Sequence, residues 1–197
     1  MQNKIAYLLL ISFLWIGTAT AQVSTKNVTV QINHYLNGTP LELGITTSNN
    51  SEGYMYVLSR AQLYLSQFSI VHNGGEILNM PEQYLLVNAN VSEYIIGQLD
   101  LGEVEGLNFS FGVDETANHS DPATYSHGHP LALNSPSMHW GWTAGYRFLA
   151  LEGGLFPSDD SVLNFQYHVV GDDYLTHMNL ALTGIESANN VIIAIDL

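Results

Sequence analysis

The sequence of 197 residues contains no cysteine. Disulfide bonds, iron–sulfur ligation and a thiol nucleophile are therefore all excluded. An exported chain of this size without disulfides draws its stability from the burial of apolar side chains. Imidazole and thioether groups remain available in an oxidising compartment, and they are ligands that suit copper.

Basic residues are also scarce. Lys and Arg number 4 against 18 Asp and Glu, which gives a formal net charge of −14 at pH 7. Nucleic acid and anionic lipid are bound through Lys and Arg, so we expect neither as a partner. The acidity suits the capture of cations or of a basic partner, and it also serves ordinary solubility.

The sequence has no apolar run long enough to cross a membrane comfortably. The run Ile5–Trp15 follows Lys4 and precedes the small residues Ala19–Ala21, which predicts a signal peptide over residues 1–21. A membrane helix needs about 20 apolar residues, more than this run provides. We therefore expect residues 22–197 to form a single domain, periplasmic or secreted, with no membrane insertion after signal cleavage.

Sequence signatures of common enzymes are missing. There is no Gly-x-Ser-x-Gly elbow, P-loop, dinucleotide fingerprint or His-Glu-x-x-His pattern. The paired acids Asp159-Asp160 and Asp172-Asp173 lack the oxygen spacing of a calcium loop, so we expect them in solvated turns. These absences favour a protein without catalysis of its own.

Apolar and polar residues alternate with a period of two along most of the chain, as in Val28, Val30 and Ile32. Turn signals such as Asn37-Gly38 separate the alternating segments, and no helix of three turns is indicated. This pattern predicts an all-β fold, an antiparallel sandwich or barrel, and of the two we expect the β-sandwich. The predicted strands cover residues 28–34, 41–46, 54–70, 84–87, 94–99, 107–113, 145–151, 163–169, 178–182 and 191–197.

One long segment, residues 114–141, has no strand character. Loops longer than about 12–15 residues are uncommon in compact domains and tend to carry function. Four of the eight histidines lie in this segment, together with Met138 and next to two of the three tryptophans. These histidines and tryptophans are His119, His127, His129, His139, Trp140 and Trp142.

Three histidines lie on or next to predicted strands. His34 continues the apolar face of Val28–Ile32, where it is either a hydrogen-bonded core residue or a rigidly held ligand. His119 follows a strand end, where it is either a ligand or a loop residue. His168 lies on the polar face of its strand, which indicates exposure unless the long loop folds over that face.

The remaining candidates lie in the long loop. The pair His127 and His129 has the character of surface residues, because such pairs bind divalent metals weakly. His139 is either a copper ligand or a loop-capping residue, and Met138 is a candidate to complete a copper site.

In five ordered segments the chain resembles the MbnP-like proteins, a family related to the copper-repressible surface protein CorA of methane oxidisers. The resemblance runs from Val28 to about Gly171, and its most specific block contains Met138-His-Trp-Gly-Trp142. The five segments are residues 32–41, 58–66, 109–119, 130–149 and 165–171.

The resemblance implies an exported β-sandwich that binds one copper ion per chain through His34, His119 and His168, with His139 as a reserve ligand. In some members a tryptophan two residues before a ligand histidine is oxidised to kynurenine by a MauG-like di-haem peroxidase-family partner. In this sequence the residues two positions before His34, His119 and His168 are Ile32, Ala117 and Gln166. The departure moves the expected oxidation to Trp140 or Trp142.

Two other hypotheses compete with copper binding. An exported interaction module could bind a protein or a glycan through an aromatic platform of Trp140, Trp142 and Tyr146. A copper oxidase or oxygenase would need an open metal position, which the sequence does not reveal.

Overall fold

The computed structural model describes residues 26–99, 104–157, 161–182 and 190–196. The predicted signal peptide at residues 1–21 lies outside these ranges. Within them, no helix is both long and apolar enough to cross a membrane.

The described ranges contain twelve strands and one short helix, α1 (Glu115–Asn118). Single 3-10 turns cover Pro122–Thr124 and Asp172–Tyr174. The strands are β1 (Lys26–Leu36), β2 (Thr39–Pro40), β3 (Thr47–Asn49), β4 (Met55–His72), β5 (Glu76–Met80), β6 (Leu85–Asn88), β7 (Glu93–Leu99), β8 (Val104–Phe111), β9 (Arg147–Phe156), β10 (Leu163–Val170), β11 (Thr176–Ala181) and β12 (Asn190–Asp196).

The strands form two sheets. In the smaller sheet the order is β12-β1-β2, and β7 also pairs with β1. In the larger sheet the order is β10-β9-β4-β8-β11, and β3, β5 and β6 pair with other parts of the long strand β4. Every described pairing is antiparallel except β1 with β12, which is parallel.

The core lies between the two sheets. Val28, Val30 and Ile32 of β1 are buried and pack in one cluster with Leu63 and Leu65 of β4. Alternation places all three β1 side chains on one face, and burial of each such side chain stabilises the fold by about 1.5–3 kcal/mol. The predicted all-β sandwich is therefore confirmed.

A second buried cluster lies under the long loop, which connects β8 to β9. Tyr64 of β4 and Tyr146 make an edge-to-face contact with ring centroids 5.4 Å apart. Their hydroxyls donate to the loop carbonyls of Pro130 and Leu131, at 2.9 and 2.5 Å. The two tyrosines thus fix the loop to the larger sheet through apolar contact and hydrogen bonds together.

Several local predictions differ from the structure, and the two shortest strands, β2 and β3, were not predicted. Residues 41–46 form a turn rather than a strand, with Gly44 at a φ of +76° and Glu42 N–H donating to the Thr46 hydroxyl at 2.8 Å. Strand β5 was not predicted, because its five residues show no clear alternation. It pairs with β4 after the turn at Asn73 and Gly74, both of which have a positive φ.

Candidate functional site

His168 lies on β10 under the long loop, and its side chain is only 7% exposed. Its Nε2 is 3.0 Å from Oε1 of Glu152 on β9. In the strand register His168 faces Ala150 while Glu152 faces Gln166, so the imidazole and the carboxylate are diagonal neighbours on one sheet face. The sequence indicated exposure for His168 unless the loop covered it, and the loop does.

Trp140 is the residue that covers His168. Its ring meets the imidazole edge to face, with centroids 5.3 Å apart and an interplanar angle of 89°. The guanidinium carbon of Arg147 lies 4.9 Å from the Trp140 ring centroid, within the range of a cation–π contact. Trp140 is therefore oriented by the imidazole and the guanidinium, while 52% of the residue stays exposed.

Arg60 of β4 connects the Glu152 carboxylate to the loop. Its Nη1 donates to the same Oε1 of Glu152 at 2.7 Å, and its Nε donates to Gln62 at 2.7 Å. Its Nη2 donates to the Ser137 carbonyl and to the Met138 sulfur, both at 3.1 Å. Each arm of the buried guanidinium therefore has an acceptor.

The contacts of Glu152 keep its carboxylate ionised. Burial alone would raise the pKa of Glu152, but hydrogen bonds from His168 and Arg60 outweigh burial and lower it. An ionised carboxylate only accepts hydrogen bonds, so His168 must donate from Nε2. With the hydrogen on Nε2, Nδ1 is the ring nitrogen that can carry a lone pair.

Met138 does not join this site as a sulfur donor. The residue is 1% exposed and packs in the second buried cluster with Tyr64 and Phe148. Because its sulfur points to the Arg60 guanidinium, its position is that of a core residue.

His139 is held in one tautomer by the loop backbone. Gly141 N–H donates to Nδ1 at 3.3 Å, while the buried Nε2 has no hydrogen-bond partner among the described residues. Burial lowers the pKa of His139, which favours a neutral ring with its hydrogen on Nε2. The ring also packs against Tyr146 and Trp142, with centroid distances of 5.0 and 6.0 Å. Ligation through Nε2 would require the opposite tautomer and the loss of the Gly141 contact.

His119 follows α1 and pairs with Asp172. Its Nε2 lies 2.8 Å from Oδ2, and the neighbouring Asn118 donates to Oδ1 of the same carboxylate at 2.8 Å. The hydrogen bond to Asp172 raises the pKa of His119, with a further contribution from the Trp142 backbone. Asp172 was expected to be solvated in a turn. Asp172 does lie in a turn with its side chain 37% exposed, and His119 and Asn118 also bond its two oxygens.

Asn118 is fully buried and connects three parts of the site. Besides its bond to Asp172, its Oδ1 accepts the Tyr146 N–H at 2.7 Å. Gly145 leaves room for this side chain, since a Cβ there would lie 2.2 Å from the Asn118 Oδ1. The sequence gave no sign of this role, because an Asn before His119 reads as an ordinary loop residue.

His34 lies on β1 of the smaller sheet, whereas His168 lies on β10 of the larger sheet. His34 is buried, and burial lowers its pKa, which favours the neutral ring. Among the described residues, no hydrogen bond or ring contact joins His34 to His119, His139 or His168. The expectation that it belongs to the apolar face of β1 is confirmed.

The structure thus brings three of the four predicted ligand histidines to one loop segment, residues 139–142. His168 contacts Trp140, His139 contacts Trp142, and the Trp142 backbone contributes to the raised pKa of His119. No group of three or more His, Asp or Glu side chains placed to hold a metal ion occurs among the described residues. The residues fit copper in their donor chemistry and in the carboxylates that orient His119 and His168.

The aromatic platform proposed from the sequence is smaller than expected. Trp140 and Trp142 are 52% and 66% exposed, but Tyr146 is 1% exposed and belongs to the second buried cluster. The two tryptophans line an open depression of about 320 Å³, together with Gly141, Thr143, Ala144 and Val170. The platform therefore consists of two indoles.

The fold and the loop define a two-sheet β-sandwich whose long connection carries histidines and exposed tryptophans over one sheet. The family model for MbnP matches residues 25–197, and the chain belongs to the MbnP family. It is similar to the solved structure of MbnP from Methylosinus trichosporium, with 18% sequence identity and a TM-score of 0.56. That match covers 80% of this chain and 71% of the other, and at this identity it supports the fold alone. No curated protein sequence matches the chain significantly.

Proposed function

We propose that this protein is an exported copper-binding protein without catalysis of its own, holding one ion per chain through His34, His119 and His168. Membership of the MbnP family and the imidazole-rich, cysteine-free composition support the proposal. Bound copper would supply a redox-active Lewis acid at the site.

The observation that carries the proposal is the carboxylate bound to each of two ligand histidines. Glu152 engages Nε2 of His168 and Asp172 engages Nε2 of His119, at 3.0 and 2.8 Å. Metal-binding histidines commonly donate their second ring nitrogen to a carboxylate, which fixes the ring and increases its basicity. With Nε2 of His119 bound to Asp172, Nδ1 is the ring nitrogen that would be left to bind the ion.

The charges around the site favour monovalent copper. The chain is strongly acidic overall and attracts cations. Near His168, Glu152 pairs with Arg60, whereas Arg147 forms no salt bridge with a carboxylate among the described residues and stacks on Trp140. A guanidinium near the site disfavours Cu(II) more than Cu(I), because the repulsion grows with the charge of the ion.

We further propose that a partner di-haem enzyme of the MauG-like peroxidase family oxidises Trp140 or Trp142 to kynurenine. Both side chains are more than half exposed. The partner would use two equivalents of peroxide for the four-electron cleavage of the indole C2–C3 bond. Hydrolysis then releases the C2 carbon as formate, so that the residue loses one carbon and gains one oxygen overall. Mass spectrometry of the peptide that contains both residues, from protein purified with and without the partner, tests this step.

Metal analysis tests the copper proposal. Protein purified from its native source is expected to contain copper, and the variants His34→Ala, His119→Ala and His168→Ala are expected to lose it. The exposed His127→Ala serves as a matched control. Stoichiometric copper in all three ligand variants would refute the assignment.

The second candidate function is an interaction module that binds a protein or a glycan. The exposed indoles of Trp140 and Trp142 around one depression favour it. Replacing both tryptophans by alanine should abolish capture of such a partner while leaving the three histidines in place. Retention of copper by that variant would show that the two functions are separable.

A further inference from the structure

One oxygen of Glu152 accepts hydrogen bonds from two different strands. Arg60 Nη1 on β4 and His168 Nε2 on β10 approach Oε1 at 2.7 and 3.0 Å. The side chains are 10% (Arg60), 21% (Glu152) and 7% (His168) exposed, so water competes little for these bonds. The shared oxygen therefore fixes the direction and the tautomer of the imidazole.

The same guanidinium also fixes the loop that covers His168. Its Nη2 bonds the Ser137 carbonyl and the Met138 sulfur, only two or three residues before Trp140. Arg147, which stacks on Trp140, also bonds the Ser137 carbonyl. The position of Trp140 against the imidazole thus depends on contacts made by Arg60 and Arg147.

We propose that Glu152 and Arg60 are positioning residues for His168, and that they present Nδ1 rather than Nε2 to the copper ion. The assignment of copper as the ion rests on the proposed function. The tautomer of His168 and its dependence on Glu152 are properties of the metal-free protein, so they can be tested without copper.

The first experiment measures the tautomer in metal-free protein. Long-range ¹H–¹⁵N correlation spectra are expected to show His168 with its hydrogen on Nε2. Glu152→Gln should give a mixture of tautomers, because the amide can donate as well as accept. Glu93→Gln, at an exposed position of β7, is the matched control and should leave the spectrum unchanged. A hydrogen on Nδ1 in the wild type, or an unchanged tautomer in Glu152→Gln, would overturn the inference.

The second experiment locates the donor atom with Cu(I) as the probe. Titration of the labelled protein should shift the Nδ1 resonance of His168 strongly and the Nε2 resonance weakly. A strong shift at Nε2 would overturn the assignment of the donor atom.

The third experiment is a double-mutant cycle on Cu(I) affinity, measured by competition with a chromophoric chelator. Glu152→Gln should weaken binding by roughly tenfold, the lower end of such effects, and should have no further effect when His168 is already alanine. Arg60→Lys should fall between wild type and Glu152→Gln, because an ammonium retains the charge but not the planar fork. Circular dichroism identifies any variant that fails to fold. If Arg60→Lys does not fold, the comparison of Glu152→Gln with wild type tests the inference.

The outcomes separate the two claims. Unchanged Cu(I) affinity in His168→Ala would refute His168 as a ligand and with it part of the proposed function. Loss of affinity in His168→Ala together with wild-type affinity in Glu152→Gln would overturn only the positioning inference.

Discussion

Trp140 and His168 meet edge to face at 5.3 Å, one on the long loop and the other on strand β10. The contact closes the loop over a histidine that would otherwise point to solvent. Any ion held by His168 would therefore be close to an indole, which makes the indole a reporter of binding.

Tryptophan fluorescence should report that proximity. Trp140 and Trp142 are the only tryptophans in residues 22–197. Cu(II) addition should quench wild type and Trp142→Phe strongly, and Trp140→Phe much less, because quenching depends on the distance to the ion. Equal quenching in the two single variants, measured by steady-state titration, would contradict an ion at His168.

Alanine substitutions at Gly145 and Gly141 test whether the buried Asn118 side chain needs the space that Gly145 leaves for it. Both glycines have a positive φ, but a Cβ at Gly145 would meet Asn118 at 2.2 Å while Gly141 has open space. We expect Gly141→Ala to lower the free energy of unfolding by about 1 kcal/mol through backbone strain, and Gly145→Ala by at least about 3 kcal/mol. Urea unfolding measures both, and similar losses would show that Asn118 adjusts freely.

Arg60→Met should destabilise the fold by about 3 kcal/mol, because it leaves the mostly buried Glu152 carboxylate without its cation. The double variant with Glu152→Met should be more stable than the single one, since it removes both charges. Chemical denaturation of the three proteins tests this. A loss below about 0.5 kcal/mol in Arg60→Met would show that the ion pair adds little.

The His119–Asp172 pair should make stability depend on pH. The hydrogen bond to Asp172 raises the pKa of His119, so its contribution is complete below the pKa of the unfolded chain and is lost as pH rises through the folded value. The same bond lowers the pKa of Asp172, whose contribution is lost as pH falls through its own folded value. The melting temperatures of wild type and Asp172→Asn should thus differ more at about pH 5, below the usual pKa of histidine, than at about pH 9, above it. An NMR titration should show a lower His119 pKa in Asp172→Asn, and identical titration curves would contradict the pairing.

Alternation alone predicted most strands, because each sheet has one face against the core. Val28, Val30 and Ile32 show the pattern clearly and are buried as predicted. The parallel pairing of β1 with β12 could not be predicted, because a period of two shows which side chains share a face but not which strand lies alongside. The turn at residues 41–46 was missed because its apolar residues mimic a strand until Gly44 breaks it.

The candidate histidines could be named from the sequence, but their partners could not. Arg60 and Glu152 are 92 residues apart, and nothing local to either indicates the other. His168 carried the pattern of an exposed residue, and only the folded loop reverses this. Met138 seemed a possible sulfur donor in sequence, whereas packing directs its sulfur to Arg60.

The parallel register sets His34 of β1 opposite Ile195 of β12. Strand β1, which carries this imidazole, is therefore synthesised before the other described strands. One of its edges nevertheless pairs with β12, the last of the described strands to be synthesised. Pairing between such distant segments is slow to form, since a long intervening chain must first be ordered. The pairings of β1 with β2 and β7 need much less of the chain, so the edge of β1 that faces β12 is the last of its edges to be paired.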